Sequence, residues 1–426
     1  MRSLTTGSFF APHMTQSLTR HISLQRTFIA LRHPNFRLWF IGQLVSLAGT
    51  WMQSTAQAFL IFQITKSPVY LGYVGFASGL PSWLFTLYGG VVADRMSRRT
   101  LLLLTQTAMM VLAFVLAALT LFGVVQPWHI IGLAFLNGIA NAFDAPTRLA
   151  FVLEMVTRED LSNAVALNAT MFNLAIVAGP AAAGLAYALI GPGWCFMLNG
   201  LSFVAVIIAL LLMKLQAPPL PNRVVTSAWA DAKEGLRYVA GHRVIFTLIA
   251  MVGVTSFFGL SLNTLMPAWA VDILHGDATT NGLLQAARGL GSLASALLIA
   301  SMGHITFKGK LLSLGSFIFP AMCLAYAAVR WLPLSLALLI VNGASYILII
   351  NLANATVQTN TPDALRGRVM SVYSLIFFGC MPLGSLLAGA LAPILGEQLT
   401  VALSALASLV FAVLVWLKVP QVRAAE

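Results

Sequence analysis

The chain has 426 residues, 59% of them hydrophobic and 8% charged, with a mean hydropathy of +0.88 and a net charge of +12. Such a composition excludes a water-soluble globular protein and predicts a polytopic membrane protein with room for about twelve spans of about 20 residues. The positive charge does not point to nucleic acid, because the basic residues occupy short loops and form no patch or helical stripe.

Residues 1–34 form a polar, basic tail without an apolar h-region, so no cleavable signal peptide is expected. Apolar runs then predict twelve spans, near 37–62, 69–92, 101–123, 128–149, 164–190, 194–213, 244–271, 279–302, 311–329, 332–355, 370–393 and 398–417. The expected fold is all-α: an N-terminal six-helix bundle over 35–213, a linker over 214–243, a C-terminal six-helix bundle over 244–418 and a tail over 419–426. Of the 24 Lys and Arg, all but Lys66, Arg330 and the in-span Arg288 fall on the side of the two tails. The positive-inside rule therefore predicts both termini in the cytoplasm.

The linker opens "KLQAPPLPNR", where prolines forbid a continuous helix. It continues with Trp229, Ala232, Leu236 and Val239 at steps of three, four and three, which predicts an amphipathic helix on the membrane surface. The two halves look weakly repeated. "TREDLSNAV" and "TPDALRGRV" join corresponding spans, and Asn137-Gly138 aligns with Asn342-Gly343 at an offset of 205. Paired repeats with a site near the midplane are a transporter architecture.

Polar stripes run through several spans. Gln43, Ser46, Thr50, Gln53 and Gln57 share one face of the first; Asn137, Asn141, Asp144 and Arg148 follow in the fourth; Asn281, Gln285, Arg288, Ser292 and Ser295 in the eighth. The tenth carries a looser set, Asn342, Ser345, Asn351, Asn354 and Gln358. Such stripes either bond helices together or line a wet cavity; the long amides of the first span favour the cavity. Arg288 lies a third of the way into its span, where it either meets an anionic substrate group or makes a structural contact. Asp144, the acid well inside a span, is spaced to pair with Arg148. Gly75 and Gly79, the small face of Ala175, Gly179 and Ala183, and Gly379, Gly384 and Gly389 allow close helix approach, and Pro81, Pro180 and Pro382 should bend their helices.

Catalytic and cofactor motifs do not occur: there is no HExxH, no GxxxxGK(S/T), no GxSxG and no dinucleotide fingerprint. Cys195, Cys323 and Cys380 lack metal spacing and read as small membrane-buried hydrophobes. No enzyme activity, metal or cofactor is expected.

The connection between the second and third spans, "GGVVADRMSRR", resembles the signature loop of the major facilitator superfamily, G-x-x-x-D-R-x-G-R-K/R. Gly90, Asp94, Arg95, Arg98 and Arg99 match, and Ser97 replaces the usual Gly. A finer resemblance is to the bacterial transmembrane secretion effectors, carried by "HPNFRLWFIGQLVSLAGTWMQ", "SPVYLG", "DAPTR", "REDLSNAVALN" and "RGRV". "AGPAAAG" resembles a degraded antiporter motif, with Gly179, Pro180 and Gly184 matching. The resemblance implies a rocker-switch secondary transporter of the inner membrane, working as a monomer on a small molecule and coupled to protons. It implies that Asp94 approaches the start of the eleventh helix when the cytoplasmic side closes, and that loop arginines pair with an acid of the fourth span, for which Asp144 is placed. Arg148 belongs to the same expected gate. Ser97 should loosen the turn, since Ser tolerates positive φ less readily than Gly. The substrate path is expected along Gln43, Ser46, Thr50, Gln53, Gln57, Asn137, Asn141, Gln285, Arg288, Asn342 and Ser345. Export is the expected direction, with import on the same fold as the alternative.

Overall fold

A computed structural model describes residues 28–214, 228–302 and 307–424. The first half contains α1 (Pro34–Thr65), α2 (Pro68–Arg95), α3 (Arg98–Leu121), α4 (Pro127–Phe151), α5 (Leu161–Ile190) and α6 (Pro192–Leu212). The second contains α7 (Arg243–Ala268), α8 (Ala278–Ser301), α9 (Lys308–Ala328), α10 (Leu332–Thr359), α11 (Asp363–Leu395) and α12 (Glu397–Lys418). Helices are the expected answer to this composition, because a span in lipid must satisfy its own backbone. Proline in the first turn starts α1, α2, α4, α6 and α10, where its missing N–H removes no helical bond. Among the described residues nine helices are long and apolar enough to cross a membrane; α1 and α4, which carry amide stripes, fall short of that measure.

The repeat is visible in two details. Gly191 (φ 86°) turns α5 into α6 and Gly396 (φ 81°) turns α11 into α12, at the 205-residue offset that also aligns Gly138 with Gly343. Those two glycines pack alike: Gly138 lies against the Ser78 carbonyl of α2, and Gly343 against the Arg288 carbonyl of α8.

The connections alternate between a basic face, which carries most Lys and Arg, and an opposite face. The halves meet toward the opposite face. There α2 crosses α11 so closely that a Cβ on Gly79 would lie 2.9 Å from Pro382 Cβ. Likewise α5 crosses α8, where a Cβ on Gly282 would lie 2.5 Å from the Pro180 carbonyl oxygen. An apolar cluster seals the same end, bringing Phe59, Phe62 and Leu71 of the first half onto Ala268 and Ala278 of the second. Lipid tails are as apolar as these side chains, so close packing rather than water release holds the contact. Toward the basic face α2 and α11 part around a cavity of about 250 Å³ lined by Ser82, Trp83, Met370, Ser371, Ser374 and Phe378.

The linker helix spans Ala228–Gly241. Val239 is buried beside Ile245, Leu248 and Val369, while Leu236 is 57% exposed; the side chains of Trp229 and Ala232 lie outside the described residues. The helix is held on α11 through Arg368 and Glu234, 2.9 Å apart. The eleventh helix begins at Asp363 rather than near 370, so two turns of it project beyond the apolar run.

Candidate transport path and gate

The gate begins where α2 ends. Gly90 and the Asp94 side chain lie outside the described residues, and Arg95 is exposed at the last residue of α2. Ser97 does not occupy a left-handed turn: its φ is −61° and its hydroxyl accepts from Thr100 N at 3.2 Å, capping α3. The replaced glycine therefore leaves the turn unstrained, and serine adds a cap that glycine could not supply. Arg99 Nη2 donates to the Leu211 carbonyl at 2.9 Å, placing a cation on the C-terminal turn of α6.

Arg98 pairs with Glu154 rather than Asp144. Its Nη1 lies 2.7 Å from Glu154 Oε1, in the short turn after α4, and 3.4 Å from the Ala150 carbonyl. The reason is depth. Asp144 precedes Glu154 by ten residues, about 15 Å along a helix, whereas Arg98 starts α3 at the basic face. Asp144 is buried, 1% exposed, and accepts from Thr105 Oγ1 at 2.9 Å and Gln106 Nε2 at 2.8 Å, both on α3. Arg148 Nε stands 3.8 Å from its other oxygen. The carboxylate thus fastens α3 to α4, with every acceptor oxygen facing a donor or a cation.

The sequence reading missed a second anchor on the basic face. Asp160, just before α5, receives His33 Nε2 at 2.7 Å and Arg32 Nη2 at 2.8 Å. The His33 hydrogen bond, and then the Arg32 charge, hold this carboxyl below the usual carboxylate range despite opposing desolvation. Asn163 Oδ1 accepts from Ala30 N at 3.1 Å beside it.

The α1 stripe divides. Gln53 Oε1 accepts from Asn199 Nδ2 of α6 at 2.7 Å, and Gly42 and Gly49 lie against the same helix. Positions 42, 46, 49 and 53 share one helical face, so α6 covers the side of the stripe that holds Ser46 and Gln53. Gln43 and Ser46 are also buried, and Thr50 Oγ1 donates back to the Ser46 carbonyl at 2.9 Å. Gln57 is 8% exposed. Thr55, outside the stripe, carries a hydrogen bond from α1 to the second half: its hydroxyl donates to Gln285 Oε1 of α8 at 3.0 Å. On α4, Asn141 is exposed and Asn137 half-buried.

On α8, Gln285 Nε2 reaches Asn281 Oδ1 at 3.3 Å. One turn further Arg288 donates from Nε to Asn342 Oδ1 of α10 at 3.3 Å and from Nη1 to Asn263 Oδ1 of α7 at 3.4 Å. Its guanidinium lies 5.0 Å from the centre of the Tyr346 ring. Asn342 in turn donates to Cys323 Sγ of α9 at 3.0 Å. Ser292 and Ser345 return their hydroxyls to carbonyls of their own helices, at 3.1 and 2.8 Å. Ser295 is buried on the same helix as Ser292. The α10 set separates: Asn351 is nine residues from Asn342, half a turn away in angle, and Gln358 bonds Asn354 at 2.6 Å. Asn263 and Tyr346 were not singled out from sequence, although Tyr346 follows Asn342 by four residues and so shares its face.

Of the antiporter-like residues, Pro180 and Gly184 sit at the junction of the halves and Gly179 packs within the first half. Gly179 lies against Trp51 and the Ala48 carbonyl of α1, while the Pro180 carbonyl and Gly184 meet α8.

Two six-helix halves, packed together toward one face with a cavity between α2 and α11 toward the other, define a membrane transporter of the major facilitator fold. The sequence matches the transmembrane secretion effectors over residues 25–426, and the chain belongs to that family. It is 29% identical to the multidrug efflux pump Tap of Mycolicibacterium fortuitum over 373 residues, covering 85% of this chain and 90% of that protein. It is 26% identical over 414 residues to the enterobactin exporter EntS of Shigella boydii serotype 18, covering 96% of each. Among solved structures, the nucleoside transporter NupG superposes with a TM-score of 0.68 at 15% identity, over 89% of this chain and 97% of that one.

Proposed function

We propose that the protein exports a small molecule across the bacterial inner membrane by alternating access, in antiport with protons. The observation that carries this reading is the asymmetry of closure. The halves touch at α2–α11 and α5–α8 on the opposite face, and toward the basic face a cavity lies between α2 and α11. The positive-inside rule assigns the basic face to the cytoplasm, so this is the state that loads from inside. The efflux and exporter relatives favour the same direction. Asp94, Arg95, Arg98, Arg99, Asp144 and Arg148 set the balance between states, and amides on α4, α8 and α10, with Gln43 and Gln57 of α1, line the path.

The test compares small molecules in the medium of cells with and without the protein, then measures their movement in inside-out vesicles with an imposed proton gradient. Accumulation that collapses with the gradient supports proton-driven export. Movement in the reverse sense assigns import, and accumulation indifferent to pH removes the proton.

A further inference from the structure

Among the described residues Arg288 is a cation without a counter-ion. Of the twelve Asp and Glu residues, Asp144 is the one in the interior of a span, and it is engaged on α3 and α4. Asp144 lies 17 residues from the end of α4 at the opposite face, about 25 Å, whereas Arg288 lies ten residues into α8, about 15 Å. The side chains that do meet Arg288 are neutral: two amide oxygens at the long limit of a hydrogen bond and the face of Tyr346. Among the described residues Nη2 makes no hydrogen bond, and the residue is only half-buried. A guanidinium does not shed its proton inside a protein, and an uncompensated charge at this depth is costly. Gln285, one turn away, holds the bond to Thr55 that joins the halves.

We propose that the transported molecule is an organic anion whose charge is neutralised at Arg288, so that the loaded centre is electrically silent and the empty centre is cationic. This rests on the export reading above. An inside-negative membrane potential then acts on the return of the empty transporter, drawing its cationic centre back to the state open to the cytoplasm. Over a full cycle that return amounts to one negative charge leaving the cell, worth about a 50-fold concentration ratio at about 100 mV.

The probes are 2-naphthoate and 2-naphthamide, which share a shape and differ in charge. Binding to the purified full chain is followed by titration calorimetry. Naphthoate is expected to bind at least about tenfold more tightly than naphthamide, the range of one charge-assisted pair. R288Q should abolish that preference and R288K should retain most of it. N263D, which keeps Arg288 and gives it an internal carboxylate, should also abolish it; R330Q should not. Equal affinity for the two probes, no binding of either, or an unchanged preference in R288Q or N263D overturns the anion site. In proteoliposomes clamped with potassium and valinomycin, an inside-negative potential should raise naphthoate exit several-fold, and exit indifferent to potential overturns the electrical part. Naphthoate that binds with this preference yet is never transported leaves the anion site standing and sinks the export reading.

Discussion

Replacing Gly282 by alanine should tip the transporter away from the state described here. A Cβ at this position would lie 2.5 Å from the Pro180 carbonyl oxygen, 2.8 Å from Gly184 Cα and 2.9 Å from Gly184 N. All three are backbone atoms of α5, so no side chain can swing aside, and the two helices must separate by a sizeable fraction of an ångström. Overpacking of this kind costs about 1–3 kcal/mol. The penalty falls on the state in which α5 and α8 touch at this end and is relieved when that end opens. The equilibrium should therefore shift by roughly 5- to 150-fold toward opening on the opposite face. Double electron–electron resonance reads the shift directly, with spin labels at Val124 and Arg330 in a background lacking Cys195, Cys323 and Cys380. The variant should gain a longer-distance population while remaining folded. An unaltered distance distribution in a folded variant would refute the claim that α5 and α8 form the closure.

Asp144→Ala leaves Thr105, Gln106 and the Arg148 charge without their shared acceptor and should destabilise the protein by about 3 kcal/mol, against about 1 kcal/mol for Asp144→Asn; thermal unfolding in detergent gives the difference, and equal losses contradict it. Asp160 has a folded pKa below its ordinary 3.8, so its contribution to stability is present above that pH and fades as pH falls through the lower folded value. The gap in melting temperature between wild type and Asp160→Asn should accordingly close on acidification below 3.8, and a gap that widens there contradicts the His33 assignment. Asp94→Asn should lower export while leaving membrane insertion intact, and full export by that variant removes the latch.

The helices and their order were legible because hydropathy and the rule against unsatisfied backbone leave little choice in lipid. The stripes were legible only as faces. Helical spacing shows that Ser46 and Gln53 point the same way; it does not show that α6 stands there with Asn199. Thr55 was invisible for a related reason, since a lone hydroxyl off a stripe reads as ordinary until the opposing half is in view. Asp144 drew attention by its depth, yet the partner of Arg98 is the shallower Glu154, and the level at which Arg98 begins α3 would have favoured it. Ser97 was read through the family pattern as a defect, although Ser followed three residues later by a backbone donor is also the ordinary start of a helix.

The amide carried by α1 has a consequence for biogenesis. A span with five polar side chains partitions reluctantly into lipid on its own, and among the described residues α1 is less apolar than the nine that meet the spanning measure. Its Gln53 is satisfied by Asn199, 146 residues later in the chain. At about 5–20 residues per second of synthesis, α6 emerges roughly 7–30 s after α1. For that interval the Gln53 amide is without its native partner. Assembly of this half is thus timed by the arrival of its last helix.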